Sequence, residues 1–342
     1  MTYVFIFTGE FGYELLNWNG VIRKWCQKNK KEDDTIVICS RNGMELIYEM
    51  ADYYIDLSEI DSYNNCIADC YWSIIKDENN KIIRHHQYQQ DVFSAVQQSI
   101  EESGFINIRY IYTPNPDQVD YMDGCTFGTG GIYGPERLPY GRLDVNNNVY
   151  KKFTSDLSDQ KEIEKAINFS LDQPYILCQS AVGTQQKRDK TILEVDDFIK
   201  SISAKIPVIC LGFDTGKSED SKSSFNNLNS ANIYHCNAST LREQSCLIEK
   251  SKHCVFFTEG DFRSIMYVPP FFGKSITAVA SKAIFDPTPT DIVSVEPGKT
   301  NAPLDFWNQH VWNFGGKIIP LYYETIQQSN NYDNIIEDII KN

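Results

Sequence analysis

A continuous apolar run, Tyr3-Val4-Phe5-Ile6-Phe7, opens the chain and passes at once into Thr8-Gly9-Glu10-Phe11-Gly12-Tyr13-Glu14. A short run without alternation reads as a strand buried on both faces, the pattern of a parallel sheet. Beyond the turn, Leu15, Trp18, Val21, Ile22 and Trp25 recur at helical spacing. Strand, glycine turn and helix in that order open an α/β unit, which restricts this region to a sheet with crossover helices. Glycine lets the backbone turn tightly and come close to a ligand. Ligands of open α/β sheets collect outside the carboxyl ends of the strands, where such turns lie. This turn carries Glu10 and Glu14, both candidate site carboxylates. The alternative, for Glu14 especially, is an acid that favours a helix N-terminus through its dipole.

The signature then repeats. Thr35-Ile36-Val37-Ile38-Cys39 reads as a second strand ending in Ser40-Arg41-Asn42-Gly43, with a short helix from Met44 to about Ala51 and a third strand at Tyr54-Ile55-Asp56-Leu57. Helices are expected over 65–75 and 91–103, and a strand over 106–112. Periodicity is lost from Pro114 to Tyr150, a long stretch of the kind that is often functional. It carries Arg137, Tyr140 and Arg142, which read equally as acceptor contacts or as surface loop residues. Its glycines depart from G-x-G-x-x-G and follow no strand, so no dinucleotide fingerprint is read there.

A polar helix over 151–169 links to a second α/β series. Strands are expected at Pro174–Cys178, Ile206–Gly212, Asn232–His235, His253–Phe257 and Ser275–Val279. Helices are expected over 193–204, after the capping box Thr240-Leu241-Arg242-Glu243, and near Tyr332–Ile340. Pro269-Pro270 is expected to break or kink the helix that follows Phe257. At 342 residues the chain is long for one core. The change of series places two domains, 1–150 and 151–342, with the C-terminal helix able to pack back on the first.

Composition narrows the function classes. The net charge is −14. An acidic surface repels phosphate backbones and counts against broad nucleic-acid binding. No apolar run has the length of a membrane span. No basic n-region precedes the first strand, so no leader is expected. The cysteines fall mostly inside apolar runs (Cys39, Cys178, Cys210, Cys254), which suits reduced thiols in a cytoplasmic protein.

Several motifs bear on chemistry. Gly212-Phe213-Asp214-Thr215-Gly216-Lys217-Ser218 is one residue short of a phosphate-binding P-loop, and a polar segment follows where that loop needs an apolar helix. Cys66, Cys70, His85 and His86 lack the spacing of a zinc site, so no metal is expected. His85 could still reach a cleft as a polar ligand. No Asp-x-Asp is present to hold a metal against a nucleotide diphosphate. Phosphate handling would then fall to cations and helix N-termini. Lys187-Arg188 and the turn Gly260-Asp261-Phe262-Arg263-Ser264 supply these.

In order and spacing, the second half resembles the donor domain of GT-B glycosyltransferases of the heptosyltransferase type. The match runs from a strand and lysine-bearing loop (Cys178 to Lys187) through a strand ending in glycine (Pro207 to Gly212) and a leucine-bearing helix (Leu241 to Ile248). It continues to the acidic-glycine turn Thr258-Glu259-Gly260-Asp261 and on to Phe272-Gly273-Lys274-Ser275-Ile276. The family's turn usually reads Asp-Thr-Gly-Pro followed by Met-His; here Glu259 replaces the aspartate and Ile265-Met266 stand where the pattern continues. The first half resembles the family's acceptor domain through its glycine-rich turn. The form Gly-Glu-Phe-Gly-Tyr-Glu is also similar to little-characterised bacterial and phage glycosyltransferase-like proteins.

The resemblance implies an α/β protein of two Rossmann-like domains facing a cleft. It implies metal-independent, inverting transfer from a nucleotide-diphosphate sugar to an acceptor hydroxyl, with no other cofactor. Glu10, then Glu14, would act as base. Ser180, Lys187, Arg188, Gly212, Glu259, Gly260, Asp261, Arg263 and Ser264 would meet the donor. Gly9, Phe11, Gly12, Tyr13, Arg41, His85, Arg137 and Tyr140 would meet the acceptor, a surface glycan or its precursor. Rival readings are a phage-type enzyme acting on a hydroxymethyl-type base in DNA, which the charge disfavours, a sugar-nucleotide epimerase, and a non-catalytic nucleotide- or sugar-binding protein on the same fold.

Overall fold

A computed structural model of the chain describes residues 1–7, 14–15, 19–60, 74–76, 82–84, 86–112, 154–180, 195–212, 228–237, 240–257, 268–282 and 316–342. The chain divides into two compact units, Met1–Tyr150 and Lys151–Asn342.

In the first unit, β1 (Thr2–Ile6) leads to α1 (Asn19–Asn29), β2 (Thr35–Ser40), β3 (Tyr53–Asp56), the β4–β5 pair (Ile74–Lys76, Ile82–Arg84), α2 (His86–Glu102) and β6 (Ile108–Tyr112). Among the described residues the main sheet has the order β3-β2-β1-β6, and its pairings are parallel. Ile6 is in register with Cys39 on one side and Tyr112 on the other.

The alternation of side chains along β1 explains why helices lie on both faces. Val4 and Ile6, with Val37 and Cys39, pack against Val92, Val96 and Ile100 of α2. Tyr3 and Phe5 point the other way, and their rings meet Trp25 of α1 edge-on at 4.6 and 5.2 Å. Burial of each such side chain contributes about 1.5–3 kcal/mol.

The second unit contains α3 (Leu157–Ile167), β7 (Ile176–Ser180), α4 (Asp196–Ser203), β8 (Val208–Gly212), β9 (Ile233–Asn237), α5 (Leu241–Lys250), β10 (His253–Phe257), α6 (Val268–Phe271), β11 (Ile276–Ala280), β12 (Ile318–Tyr322), α7 (Tyr323–Gln328) and α8 (Asp333–Lys341). The sheet order is β12-β11-β10-β7-β8-β9, parallel throughout its described pairings. One face buries Ile176, Cys178, Val208, Cys210, Val255, Phe257 and Val279 under Phe198, Ile199 and Ile202 of α4 and under Ile336 and Ile339 of α8. The C-terminal helix therefore packs on the core of its own unit. The Thr240/Glu243 capping box forms as its sequence predicts: Glu243 N–H donates to Thr240 Oγ1 at 3.2 Å, and Thr240 N–H donates to Glu243 Oε2 at 2.9 Å.

Three expectations change. Residues 74–76 form a strand, in an antiparallel pair with 82–84, where the helix expected over 65–75 would end. The helix at Met44 is a single 3-10 turn, Met44–Ile47, entered through Gly43 at φ 81. Pro269 and Pro270 lie in α6, which ends at Phe271; the segment 258–267, over which the kink was expected, lies outside the described residues. Finally, β12 extends the sheet beyond the strand expected to close it. Its Pro320 disguises it, yet a proline is tolerated on an edge strand, and β12 is an edge among the described residues.

Candidate functional site

The two sheets share a topological property. In the first, the chain builds outward from β1 through β2 to β3 and then crosses to add β6 on the far side of β1. In the second, it builds from β7 through β8 to β9, then returns to add β10, β11 and β12 on the other side of β7. Each sheet has a switch point, between β1 and β6 and between β7 and β10. In open α/β sheets, ligands bind at such a point, outside the carboxyl ends of the strands.

At the first switch point β1 ends at Ile6, beside Tyr112 of β6. Gly9, Glu10, Phe11, Gly12 and Tyr13 follow β1, and Arg137 and Tyr140 follow β6. These residues, with His85, lie outside the described residues. Glu14 and Arg41 are described, and they are brought together. Glu14 is fully buried, at 0% exposure. Its Oε1 accepts a hydrogen bond from Tyr48 Oη at 2.7 Å and another from Ser40 Oγ at the end of β2. Its Oε2 lies 3.4 Å from Arg41 Nε. Tyr54 Oη donates to the Arg41 carbonyl at 2.6 Å. Burial, then the nearby Glu14 charge, pushes the Tyr48 and Tyr54 phenols well above their ordinary range, so both stay protonated.

A second set of bonds fixes the chain around Glu14. Asn19, also buried, donates from Nδ2 to the carbonyls of Glu14 and Leu15. Arg23 Nη1 donates to Asn19 Oδ1 at 3.1 Å, and Nη2 to the Ile47 carbonyl at 2.9 Å. The Arg23 guanidinium also takes both oxygens of Glu49, at 3.2 and 2.7 Å. Residues 14–15, Asn19 and Arg23 of α1, and the 44–47 turn are thus tied into one polar network. The Glu14 carboxylate is occupied by hydroxyls and a guanidinium within the protein. Sequence reasoning missed Ser40, Tyr48, Tyr54, Asn19 and Arg23. Ser40 carries a weak signal as the polar end of an apolar strand; the tyrosines carry none, because their contacts with Glu14 are remote in sequence.

At the second switch point Ser180, the last residue of β7, is in register with Phe257, the last of β10. Lys187 and Arg188 follow the first strand. Glu259, Gly260, Asp261, Arg263 and Ser264 follow the second. All seven lie outside the described residues. Gly212 ends β8 and pairs with Asn237. The topology therefore brings the origins of both candidate donor segments to one sheet edge. Just inside that edge lies Gln179, 3% exposed. Among the described residues no group of three or more His, Cys, Asp or Glu side chains gathers as a metal site. No helix among them is long and apolar enough to cross a membrane.

Comparison with known proteins agrees with this architecture. No protein-family model and no curated protein sequence matches the chain. Among solved structures it is similar to the ADP-heptose LPS heptosyltransferase II of E. coli, at TM-score 0.51 and 10% identity, over 99% of this chain and 97% of that one. It is also similar to a glycosyl transferase family 9 protein of Veillonella parvula (TM-score 0.46, 10% identity, 99% and 95% covered). A third is an E. coli heptosyltransferase solved with ADP (TM-score 0.46, 9% identity, 99% of each chain covered). The fold is that of the GT-B class: two Rossmann-like α/β units, heptosyltransferase-like in their order.

Proposed function

We propose that this protein transfers a sugar from a nucleotide-diphosphate sugar to an acceptor hydroxyl, by inversion and without a metal. The observation that carries the reading is the switch point of the second unit. The strands that meet there, β7 and β10, lead directly into the segments bearing Lys187-Arg188 and Glu259-Gly260-Asp261-Phe262-Arg263-Ser264. Cations and backbone N–H groups at such an edge suit a diphosphate. They would also stabilise it as a leaving group. The likeness to an ADP-heptose LPS heptosyltransferase supports the fold, and the site residues carry the chemistry.

In this reading the first unit takes the acceptor. Glu10, in the segment that follows β1 in sequence, is the base that deprotonates the acceptor hydroxyl. Glu14 is a positioning residue: its bonds to Ser40, Tyr48 and Arg41 fix the chain at residue 14, four residues beyond Glu10. Arg41, placed at the carboxyl end of β2, is an acceptor contact oriented by Glu14. Metal independence follows from the absence of Asp-x-Asp and the presence of cations to neutralise the diphosphate. The test is a thermal-shift screen of the full chain against nucleoside diphosphates with and without magnesium. Stabilisation by one diphosphate in both conditions is expected; no stabilisation by any of them would remove the donor site.

A further inference from the structure

Gln179 is the penultimate residue of β7, in register with Phe256 on one side and Leu211 on the other. Its strand neighbours across the sheet are apolar and its own side chain is 3% exposed. Its Oε1 is buried and has no hydrogen-bond partner among the described residues. An acceptor left unmade in the interior costs about 1–3 kcal/mol, and leucine or methionine would occupy the same space without that cost. Gln160 offers a contrast. It too has an unmet Oε1, but its Nε2 donates to Glu164 and Asp172, so it serves the helix layer. Gln179 sits instead on the strand that forms one wall of the switch point, one residue inside the edge.

A carboxamide oxygen only accepts, so the group it awaits must donate. An ionised diphosphate has acceptors alone and does not fit; a hydroxyl does. We propose that Gln179 is a specificity-determining contact whose Oε1 accepts a hydrogen bond from a hydroxyl of the bound nucleotide sugar. The inference rests on the donor reading above and names the part of the donor that this strand reads. The hydroxyl belongs either to the ribose or to the transferred sugar, and the two sources separate by experiment.

The test compares wild type with Gln179→Met, and with Gln179→Leu as a second apolar variant should the first not fold. Each is titrated calorimetrically with UDP and UDP-glucose, ADP and ADP-glucose, and GDP and GDP-mannose. Ligand-free, the apolar variant should melt at or above the wild-type temperature, because an unmet acceptor has been removed. It should bind the preferred nucleotide sugar about tenfold more weakly, the size of one lost hydrogen bond. A matching loss for the bare diphosphate assigns the ribose. A loss confined to the nucleotide sugar assigns the transferred sugar. Equal affinities in wild type and variant overturn the inference and leave the donor reading intact. A lower ligand-free melting temperature in both variants overturns it too, by making Gln179 a packing residue. No binding of any nucleotide or nucleotide sugar by wild type overturns both.

Discussion

Replacing Glu14 by leucine removes a buried carboxylate while keeping its bulk, and the consequences follow from its partners. Two hydroxyls, Ser40 Oγ and Tyr48 Oη, lose their acceptor, and Arg41 loses the counter-charge at 3.4 Å. Breaking a buried ion pair from one side costs about 3–5 kcal/mol. The Arg41 side chain is 21% exposed, so water relieves part of its charge and the lower end applies. Adding about 1 kcal/mol for the stranded hydroxyls gives a total near 4 kcal/mol. Tyr48→Phe removes one bond to a charged acceptor and should cost about 1.5 kcal/mol. Removing both side chains should cost less than the sum, because they share an interaction. The chain divides into two compact units, so a local probe reads this network more directly than a global melt. Amide hydrogen exchange read by mass spectrometry over Thr35–Ser40 isolates the first unit. Protection there should fall by the stated energies. Glu14→Leu with protection within about 0.5 kcal/mol of wild type would refute the network as the anchor of this edge.

Other predictions concern the second unit. His253 is 2% exposed, and its Nε2 meets Thr277 Oγ1 at 2.9 Å. Burial, then the nearby Lys274, pushes its pKa down to about 4. The folded protein thus resists a proton that the unfolded chain accepts near pH 6.5. The associated stability is fully present above about pH 6.5 and is lost as pH falls to about 4, a difference of about 3 kcal/mol. His253→Gln should flatten the fall in urea midpoint over that window; an unchanged slope would show that His253 does not titrate this way. At Gly316, φ is +78, and an added Cβ would lie 2.4 Å from the Lys274 carbonyl carbon and oxygen. Gly316→Ala should cost more than about 2 kcal/mol in a urea titration of the second unit's transition, by strain and by clash with backbone that cannot turn aside. A loss under about 0.5 kcal/mol would mean that the β11–β12 join gives way freely.

The strands were the readable part of this fold, because a parallel sheet buries both faces and leaves unbroken apolar runs such as Ile36-Val37-Ile38-Cys39 and His253-Cys254-Val255-Phe256-Phe257. The Thr240/Glu243 cap was equally plain, since both halves of its bond lie within one turn. What escaped was either masked locally or set at long range. Pro320 hid an edge strand. Residues 74–76 and 82–84 lie in short strands whose pairing with each other determines them. The site divides along the same line. Its candidate segments are legible because each follows a strand, and the topology sets those strands side by side at the switch points. The partners of Glu14 could not be found, because no local pattern joins it to Ser40 and Tyr48. Nor could the unmet oxygen of Gln179, which becomes visible only once its strand is packed.

The most direct measurement is the thermal shift of the full chain with UDP, GDP, ADP, CDP and CMP, each with and without magnesium. A ligand present at one hundred times its dissociation constant stabilises the folded state by about 2.7 kcal/mol, a rise of several degrees in Tm. The donor reading predicts that rise for one nucleoside diphosphate, equal in the two conditions. A rise that requires magnesium would contradict the metal-independent mechanism, and no rise with any nucleotide would contradict the central claim.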